Sequence, residues 1–366
     1  MILSSVFCAA LGCAFFGFAG ASAQTSKQPE RTRQAATPTP APAAPKPAPT
    51  AVPTPEPDEI IKVETELVNL NVRVIDRNNR PINNIKQGEF KIYEDNVLQN
   101  IAFFSKSEVP TNYGLVIDNS GSLRMQLEKV IEASKIIVGT NKPSDETMVI
   151  RFVNSQKIEI IQDFTANKAE LNDALENLFI EGGQTAIIDA VYLAAEKVDQ
   201  YENSRKGDRM RRALVLVSDG EDRDSFYKEA QLFELLREAD VQIYAIGFVS
   251  DLSKDSGFIS KSPQGKAKAF LQRLADETGG KAYFPDSPNE LNTIAADIAS
   301  ELRTQYSIGY EPSNDRRDGS FRNIRVVVDD GPNKQKRIAV TRSGRTADND
   351  KTTAPSLQNP TQTKVQ

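Results

Sequence analysis

The 366-residue chain contains no histidine. That removes Ser-His-Asp and Cys-His catalysis, His-ligated zinc and haem ligation together. Its two cysteines, Cys8 and Cys13, both lie in a segment patterned as a removable leader. The mature chain is therefore expected to carry neither disulfide nor thiol, and redox chemistry is excluded. An excess of one charge is missing too: 45 basic against 50 acidic residues leave a net charge of −5, which offers nothing to nucleic acid. No glycine-rich loop with a lysine is present to cradle the phosphates of a nucleotide.

Met1 to Ala23 holds no charged side chain, and its apolar stretch from Val6 to Ala19 runs into Ala21-Ser22-Ala23, a small-x-small pattern before Gln24. The run is short against the ~20 residues of a spanning helix, so residues 1–23 read as a signal peptide rather than an anchor. The basic residues that usually open such a peptide are absent, and Ala10-Leu11-Gly12 before Cys13 lacks the branched first residue of a lipoprotein signal, with apolar sequence continuing past it. Export to the periplasm, the cell surface or the medium is expected, with no membrane span after cleavage. Residues 24–59, dominated by proline, alanine and threonine, cannot build a core and favour extended polyproline II, so they read as a semi-rigid stalk.

In Val68, Leu70, Val72 and Val74 apolar residues alternate with polar ones, the period of a strand with one buried face. A turn at Asp76 to Pro81 and strand-like runs Phe90 to Tyr93 and Ile101 to Phe104 about Glu94-Asp95-Asn96 complete a small β segment over 60–108. Residues 305–345 carry similar runs, Gln305 to Tyr310, Ile324 to Val328 and Arg337 to Thr341. Together the two segments have the size of one β-sandwich-like domain, with the middle of the chain inserted between its strands. A disordered tail is expected over 346–366.

The middle, residues 112–304, alternates strands with helices. Strands are expected at Gly114 to Ile117, Met148 to Val153, Lys157 to Ile161 (an edge), Ala213 to Val217, Gln242 to Gly247 and Lys281 to Phe284. Helices are expected at Leu123 to Val138, Lys168 to Phe179, Ala186 to Tyr201, Phe226 to Ala239, Lys266 to Thr278 and Pro288 to Arg303. Asn167 with Glu170, and Ser287 with Glu290 and Pro288, mark two helix starts. Leu214-Val215-Leu216-Val217 is the unbroken apolar run of a strand covered on both faces. The order implies an α/β fold with a doubly wound, mostly parallel sheet, whose ligand sites lie beyond the strand carboxyl ends.

Three loops qualify for such a site. Asp118-Asn119-Ser120-Gly121-Ser122 follows the strand Leu115-Val116-Ile117, Gly182-Gly183-Gln184-Thr185 precedes a helix, and Ser218-Asp219-Gly220 follows Val217. Asp118, Ser120, Ser122, Thr185 and Asp219 would offer three hydroxyls and two carboxylates, all hard oxygen donors, which suits one Mg²⁺, Mn²⁺ or Ca²⁺ ion rather than zinc.

The pattern D-x-S-x-S, then T, then D after an apolar strand resembles the metal-ion-dependent adhesion site of von Willebrand factor A domains, over residues 112–304. The flanks GEFKIYEDNVLQNIAFF and QYSIGYEPSNDRRDGSFRNIRVVV resemble those of exported bacterial proteins related to that family. The resemblance implies that Ser120 and Ser122 bind the ion directly, Thr185 directly in one state, and Asp118 and Asp219 largely through waters. It further implies a protein-binding or adhesion module whose ion is completed by an Asp or Glu of a partner.

Two other functions compete. A metal-dependent hydrolase would need a nucleophile or base that these loops lack, and an aspartyl-phosphate enzyme would want a second Asp where Ser120 stands. A non-enzymatic protein is therefore expected. An envelope scaffold or assembly subunit differs from an adhesion module only in its partner. Glu221, Asp222 and Asp224 lack the spacing of a calcium loop and read as a solvated acidic loop. The basic run Arg205, Lys206, Arg209, Arg211 and Arg212 reads as a solvated loop at the amino end of the following strand. The polar insertion Asp251 to Gly265 falls on the same rim as the ion site, where it would help select partners.

Overall fold

The computed structural model describes residues 67–106, 109–201, 210–250, 252 and 262–347, all inside the unit Lys62–Gln366. The signal peptide, the stalk, Arg205, Lys206, Arg209, most of the insertion after Ser250 and the tail beyond residue 347 lie outside the described residues. Strand β1 (Val68–Ile75) comes first, followed by the hairpin of β2 (Phe90–Glu94) and β3 (Val97–Ser105). Asp95 and Asn96 turn that hairpin with φ of 48° and 67°, the left-handed pair of a two-residue turn that follows the twist of its strands.

The α/β part then runs β4 (Thr111–Asp118), α1 (Leu127–Gly139), β5 (Glu146–Asn154), β6 (Lys157–Thr165), α2 (Lys168–Glu176), α3 (Ile187–Asp199), β7 (Arg211–Ser218), α4 (Glu229–Glu238), β8 (Gln242–Gly247), α5 (Pro263–Thr278), β9 (Lys281–Tyr283) and α6 (Leu291–Glu301). Its sheet has the order β6-β5-β4-β7-β8-β9, parallel except for β6, which pairs antiparallel with β5. Leu214 and Leu216 pack under α3, α4 and α5, while Val215 and Val217 pack under α1, α2 and α6. All four are at most 3% exposed, so truncating Leu216 to Ala would cost ~2–5 kcal/mol in lost burial and cavity formation. No helix among the described residues is long and apolar enough to cross a membrane.

Last come β10 (Tyr306–Glu311), β11 (Phe321–Val328), β12 (Ile338–Val340) and β13 (Gly344–Thr346). They join β1, β2 and β3 in one seven-stranded antiparallel sheet of order β12-β1-β10-β3-β2-β11-β13. The sequence predicts one β-sandwich-like domain built from both flanks; the two flanks do join, and they do so as one antiparallel sheet. It bends so that β12, at one edge, meets β11, near the other. Val72, Ile92, Tyr306 and Ile308 lie in the enclosed core, none more than 1% exposed.

Helices α1, α4 and α6 begin later than the sequence predicts, α6 only at Leu291 after a 3-10 turn over Pro288–Glu290. Residues Gly121–Leu123 form a 3-10 turn, and α1 starts only at Leu127, because Leu123, 1% exposed, is consumed as a buried anchor before the helix can begin. Helix α4 starts at Glu229 rather than Phe226, since the amides of Phe226 and Tyr227 donate to the Asp189 carboxylate at 2.8 Å each. At Ser287 the expected capping box is present in full, with the Glu290 carboxylate accepting from the Ser287 amide at 3.0 Å.

The antiparallel sheet is locked to the amino ends of the parallel strands. Arg73 of β1 donates to both carboxylate oxygens of Glu301 at 2.7 Å and to the Gly280 carbonyl at 3.2 Å. Arg211, expected to be solvated, is fully buried. It reaches the carbonyls of Leu302 at 2.6 Å and Gln305 at 3.3 Å, so its charge meets the oxygens left free where α6 ends. Close backbone approach seals the joint: Gly279 has no room for a Cβ, which would fall 2.6 Å from the Arg342 amide nitrogen.

Candidate metal centre

From β4 the chain moves to β5 on one side and later crosses to β7 on the other. The carboxyl ends of β4 and β7 therefore border the crevice where open α/β sheets take ligands. Asp118 ends β4 and Ser218 ends β7, which puts the loops carrying Ser120, Ser122 and Asp219 side by side. The loop carrying Thr185 leads into α3 from the same rim.

Hydrogen bonds close the three loops into a ring. Asp118 Oδ2 accepts from Ser218 Oγ at 2.8 Å, and the Asn119 carbonyl accepts from the Glu181 amide at 2.9 Å. The Thr185 carbonyl accepts from the amides of Arg223 at 2.8 Å and Asp224 at 3.2 Å. Asn119 also donates its side-chain amide to the Phe179 carbonyl at 2.7 Å. Two glycines make this possible. Gly220 turns the chain straight after Asp219 with φ +80°, and at Gly183 a Cβ would stand 2.4 Å from Val153 Cγ1.

Within the ring, Asp118, Ser120, Thr185 and Asp219 are buried and Ser122 is exposed. Ser120 Oγ and Ser122 Oγ are 2.9 Å apart. Asp118 Oδ1 accepts from the Ser120 amide at 2.8 Å, and Asp219 Oδ1 from the Glu221 amide at 3.0 Å. The Thr185 hydroxyl makes no hydrogen bond to the other four among the described residues. Burial pushes the Asp118 carboxyl up to about 6, and the neighbouring charge of Asp219 pushes the same way against the hydrogen bonds from Ser120 and Ser218. No group of three or more Asp and Glu side chains among the described residues could hold a metal ion. Any cation held here would rest on hydroxyls as much as on carboxylates.

The acidic loop is exposed at Asp222 and Asp224, as its sequence predicts, yet it is tied to the start of α3. Asp222 accepts from the Ile188 amide in the first turn of α3 at 3.2 Å, and Asp189 gathers the amides of Phe226 and Tyr227. Together they fix the loop after Asp219 against the start of α3. Ser218, Asp189 and Asp222 thus support the centre, and sequence reasoning gave them no role. The one available signal was Asp189, a carboxylate in the otherwise apolar helix start Ile187-Ile188-Asp189-Ala190-Val191.

The chain is 30% identical over 187 residues to the uncharacterized protein sll0103 of Synechocystis sp., a match covering 50% of this chain and 39% of that relative. The chain thus spans about two-fifths of the relative's length. Among solved structures, an aerotolerance-related membrane protein from Bacteroides fragilis aligns at 21% identity, covering 52% of this chain and 98% of that one with a TM-score of 0.41. A von Willebrand factor type A protein from Catenulispora acidiphila aligns at 12% identity, covering 77% and 75% with a TM-score of 0.42. The family model for the von Willebrand factor type A domain, typically a protein-interaction module, matches residues 114–297. With half of its length so matched, around a mostly parallel sheet bearing three interlocked loops, the chain belongs to the von Willebrand factor type A domain family.

Proposed function

We propose that this protein is an exported, non-enzymatic module that binds another protein through a divalent cation held by Asp118, Ser120, Ser122, Thr185 and Asp219. The observation that carries the reading is the 2.9 Å separation of Ser120 Oγ and Ser122 Oγ. Adjacent ligands of an octahedral Mg²⁺ with bonds of ~2.1 Å stand ~3.0 Å apart, so the two hydroxyls already have the spacing of neighbouring ligands. The donors fit Mg²⁺ or Mn²⁺ best, with Ca²⁺ next.

Ser120 and Ser122 would hold the ion directly, Thr185 directly in one state, and Asp118 and Asp219 would balance its charge largely through waters. Much of the lone-pair capacity of Asp118 is committed to Ser120 and Ser218, which favours contact through water over direct ligation. When bound, the ion supplies an electrophilic site for an Asp or Glu carboxylate of the partner. Asp118 is committed to Ser120 and Ser218, and the three loops carry no histidine or lysine to act as a base, which supports binding rather than catalysis. The leader pattern of residues 1–23 supports an envelope or extracellular location.

Calorimetric titration of Mg²⁺ and Mn²⁺ into the purified protein tests this reading. One saturable site is expected, lost in the Asp118→Ala, Ser120→Ala double variant. Absence of binding by the wild type would sink it.

A further inference from the structure

Along α3 and α4 one stretch of surface joins exposed aromatic rings to carboxylates that no cation answers. Phe226, 78% exposed, meets the ring of Tyr227 edge-on at 5.4 Å. Tyr227 in turn stacks on Tyr192 of α3 at 4.0 Å, with the two rings 7° from parallel. The three rings form one contiguous step from the start of α4 onto α3. Its position is fixed by hydrogen bonds. Asp189 of α3 accepts from the amides of Phe226 and Tyr227 at 2.8 Å each. The Ser225 hydroxyl accepts from the Asp189 amide at 3.1 Å and donates to Asp222.

The same contacts bring negative charge to the step. Asp189 and Asp222 stand at its Phe226 end, with Asp224 close by in the chain. At its other end Glu196 lies one helical turn beyond Tyr192 on α3. Burial, followed by the charges of Glu196 and of Glu234 and Glu238 on α4, raises the Tyr192 phenol, and Glu196 acts on the Tyr227 phenol as well. Neither Glu196 nor Glu234 forms an ion pair with a Lys or Arg among the described residues. Cations nearby in the chain are engaged by other carboxylates: Lys197 by Asp163 at 3.7 Å, Arg237 by Glu277 at 3.4 Å, and Arg223 by Glu221. That leaves Lys228 against Asp189, Asp222, Asp224, Glu196 and Glu234.

We propose that the α3–α4 face receives an arginine-bearing segment of a partner protein, one guanidinium stacking on the Phe226 and Tyr227 rings while neighbouring basic groups meet the carboxylates beside them. Charge complementarity names the occupant. An aromatic face attracts a cation through its quadrupole, and a planar guanidinium lies on such a face while its N–H donors still reach carboxylates at the edge. A purely apolar partner would cover Glu196 and Glu234 without a counter-charge, which is unfavourable. An acidic partner would be repelled. The face needs no ion in the loops at the carboxyl ends of β4 and β7, so it is independent of the function proposed above and gives the protein a second surface of opposite preference.

Fluorescence anisotropy with the full chain in chelator tests the proposal. The probe is a short labelled peptide with three arginines spaced by glycine and serine, set against the same peptide carrying citrulline, which keeps the planar shape and drops the charge. The arginine peptide is expected to bind at least about tenfold tighter, with affinity falling as salt rises. Phe226→Ser should weaken it ~2–5-fold, the scale of an exposed cation–π contact, and Glu196→Gln with Glu234→Gln should weaken it by a similar factor. Glu128→Gln with Glu311→Gln removes the same charge from α1 and β10 and should leave affinity unchanged. Equal affinity for the two peptides, no binding of either, or full affinity in Phe226→Ser would overturn the proposal. So would an equal loss in the Glu128, Glu311 variant, which would mean attraction by the acidic chain as a whole, or binding that appears only when Mg²⁺ replaces the chelator.

Discussion

The two ends of the parallel sheet handle buried charge in opposite ways. At the amino ends, Arg73 is matched by the Glu301 carboxylate and Arg211 by backbone carbonyls. Asp145, 1% exposed, takes Arg303 at 2.6 Å and the Thr111 amide at 2.9 Å. At the carboxyl ends, Asp118 and Asp219 are buried together and form no ion pair with any Lys or Arg among the described residues. One end is completed by the chain itself, through a β-sheet built from both flanks of the α/β domain. The other buries two carboxylates with no cationic side chain beside them among the described residues, held instead by neutral donors.

The comparison can be broken most severely at the amino ends. Glu301→Ala would strand the buried Arg73 guanidinium and is expected to cost ~3–5 kcal/mol, as breaking a buried pair usually does. Denaturant melts should give the same loss with Mg²⁺ or with chelator, because this end does not involve the ion.

At the carboxyl ends the corresponding effect is a pH dependence. Burial raises the Asp118 carboxyl to about 6, above its ordinary value, so folding favours its protonated form. That contribution is complete below about pH 4, the unfolded value, and is lost as pH rises through about 6; it is on the order of 3 kcal/mol. Stability of wild type minus Asp118→Asn, measured in chelator, should therefore fall across this window, and Mg²⁺ should restore it at neutral pH.

A sharper contrast comes from ligand linkage. With the ion at a hundred times its dissociation constant the wild type should gain ~2.7 kcal/mol, whereas Ser120→Ala with Ser122→Ala should gain little. Smallest is Asp222→Ala, which removes the acceptor for the Ile188 amide and should cost ~1 kcal/mol, the scale of a lost helix cap. Because that loop also holds the Thr185 carbonyl, ion affinity should weaken severalfold in the same titration.

How much of this was legible from sequence also divides along the sheet. The carboxyl ends are written locally: Asp118, Ser120 and Ser122 share one loop, and Asp219 follows an apolar strand whose direction Leu214 to Val217 makes plain. The amino ends are written at long range. Nothing near Arg211 signals that residues 302–305 will cover it, and a run of five basic residues reads as a wet loop until that packing is known. The same distance hides the strand order of the single curved sheet, since β1 pairs with β10 and β12 from the far end of the chain, and the three-residue strand β13 is too short to carry a period. Helix α1 was misplaced by a different cause. Leu123 continues its apolar spacing, yet the chain must first complete the 3-10 turn that sets Ser122 beside Ser120.

The most direct test of the account is anomalous diffraction at the manganese edge from crystals grown with Mn²⁺. A single peak is expected within ligand distance of both Ser120 Oγ and Ser122 Oγ, on the face of the ring that Thr185 and Asp219 share. No peak, or a peak only over the acidic loop at Glu221 to Asp224, would contradict it.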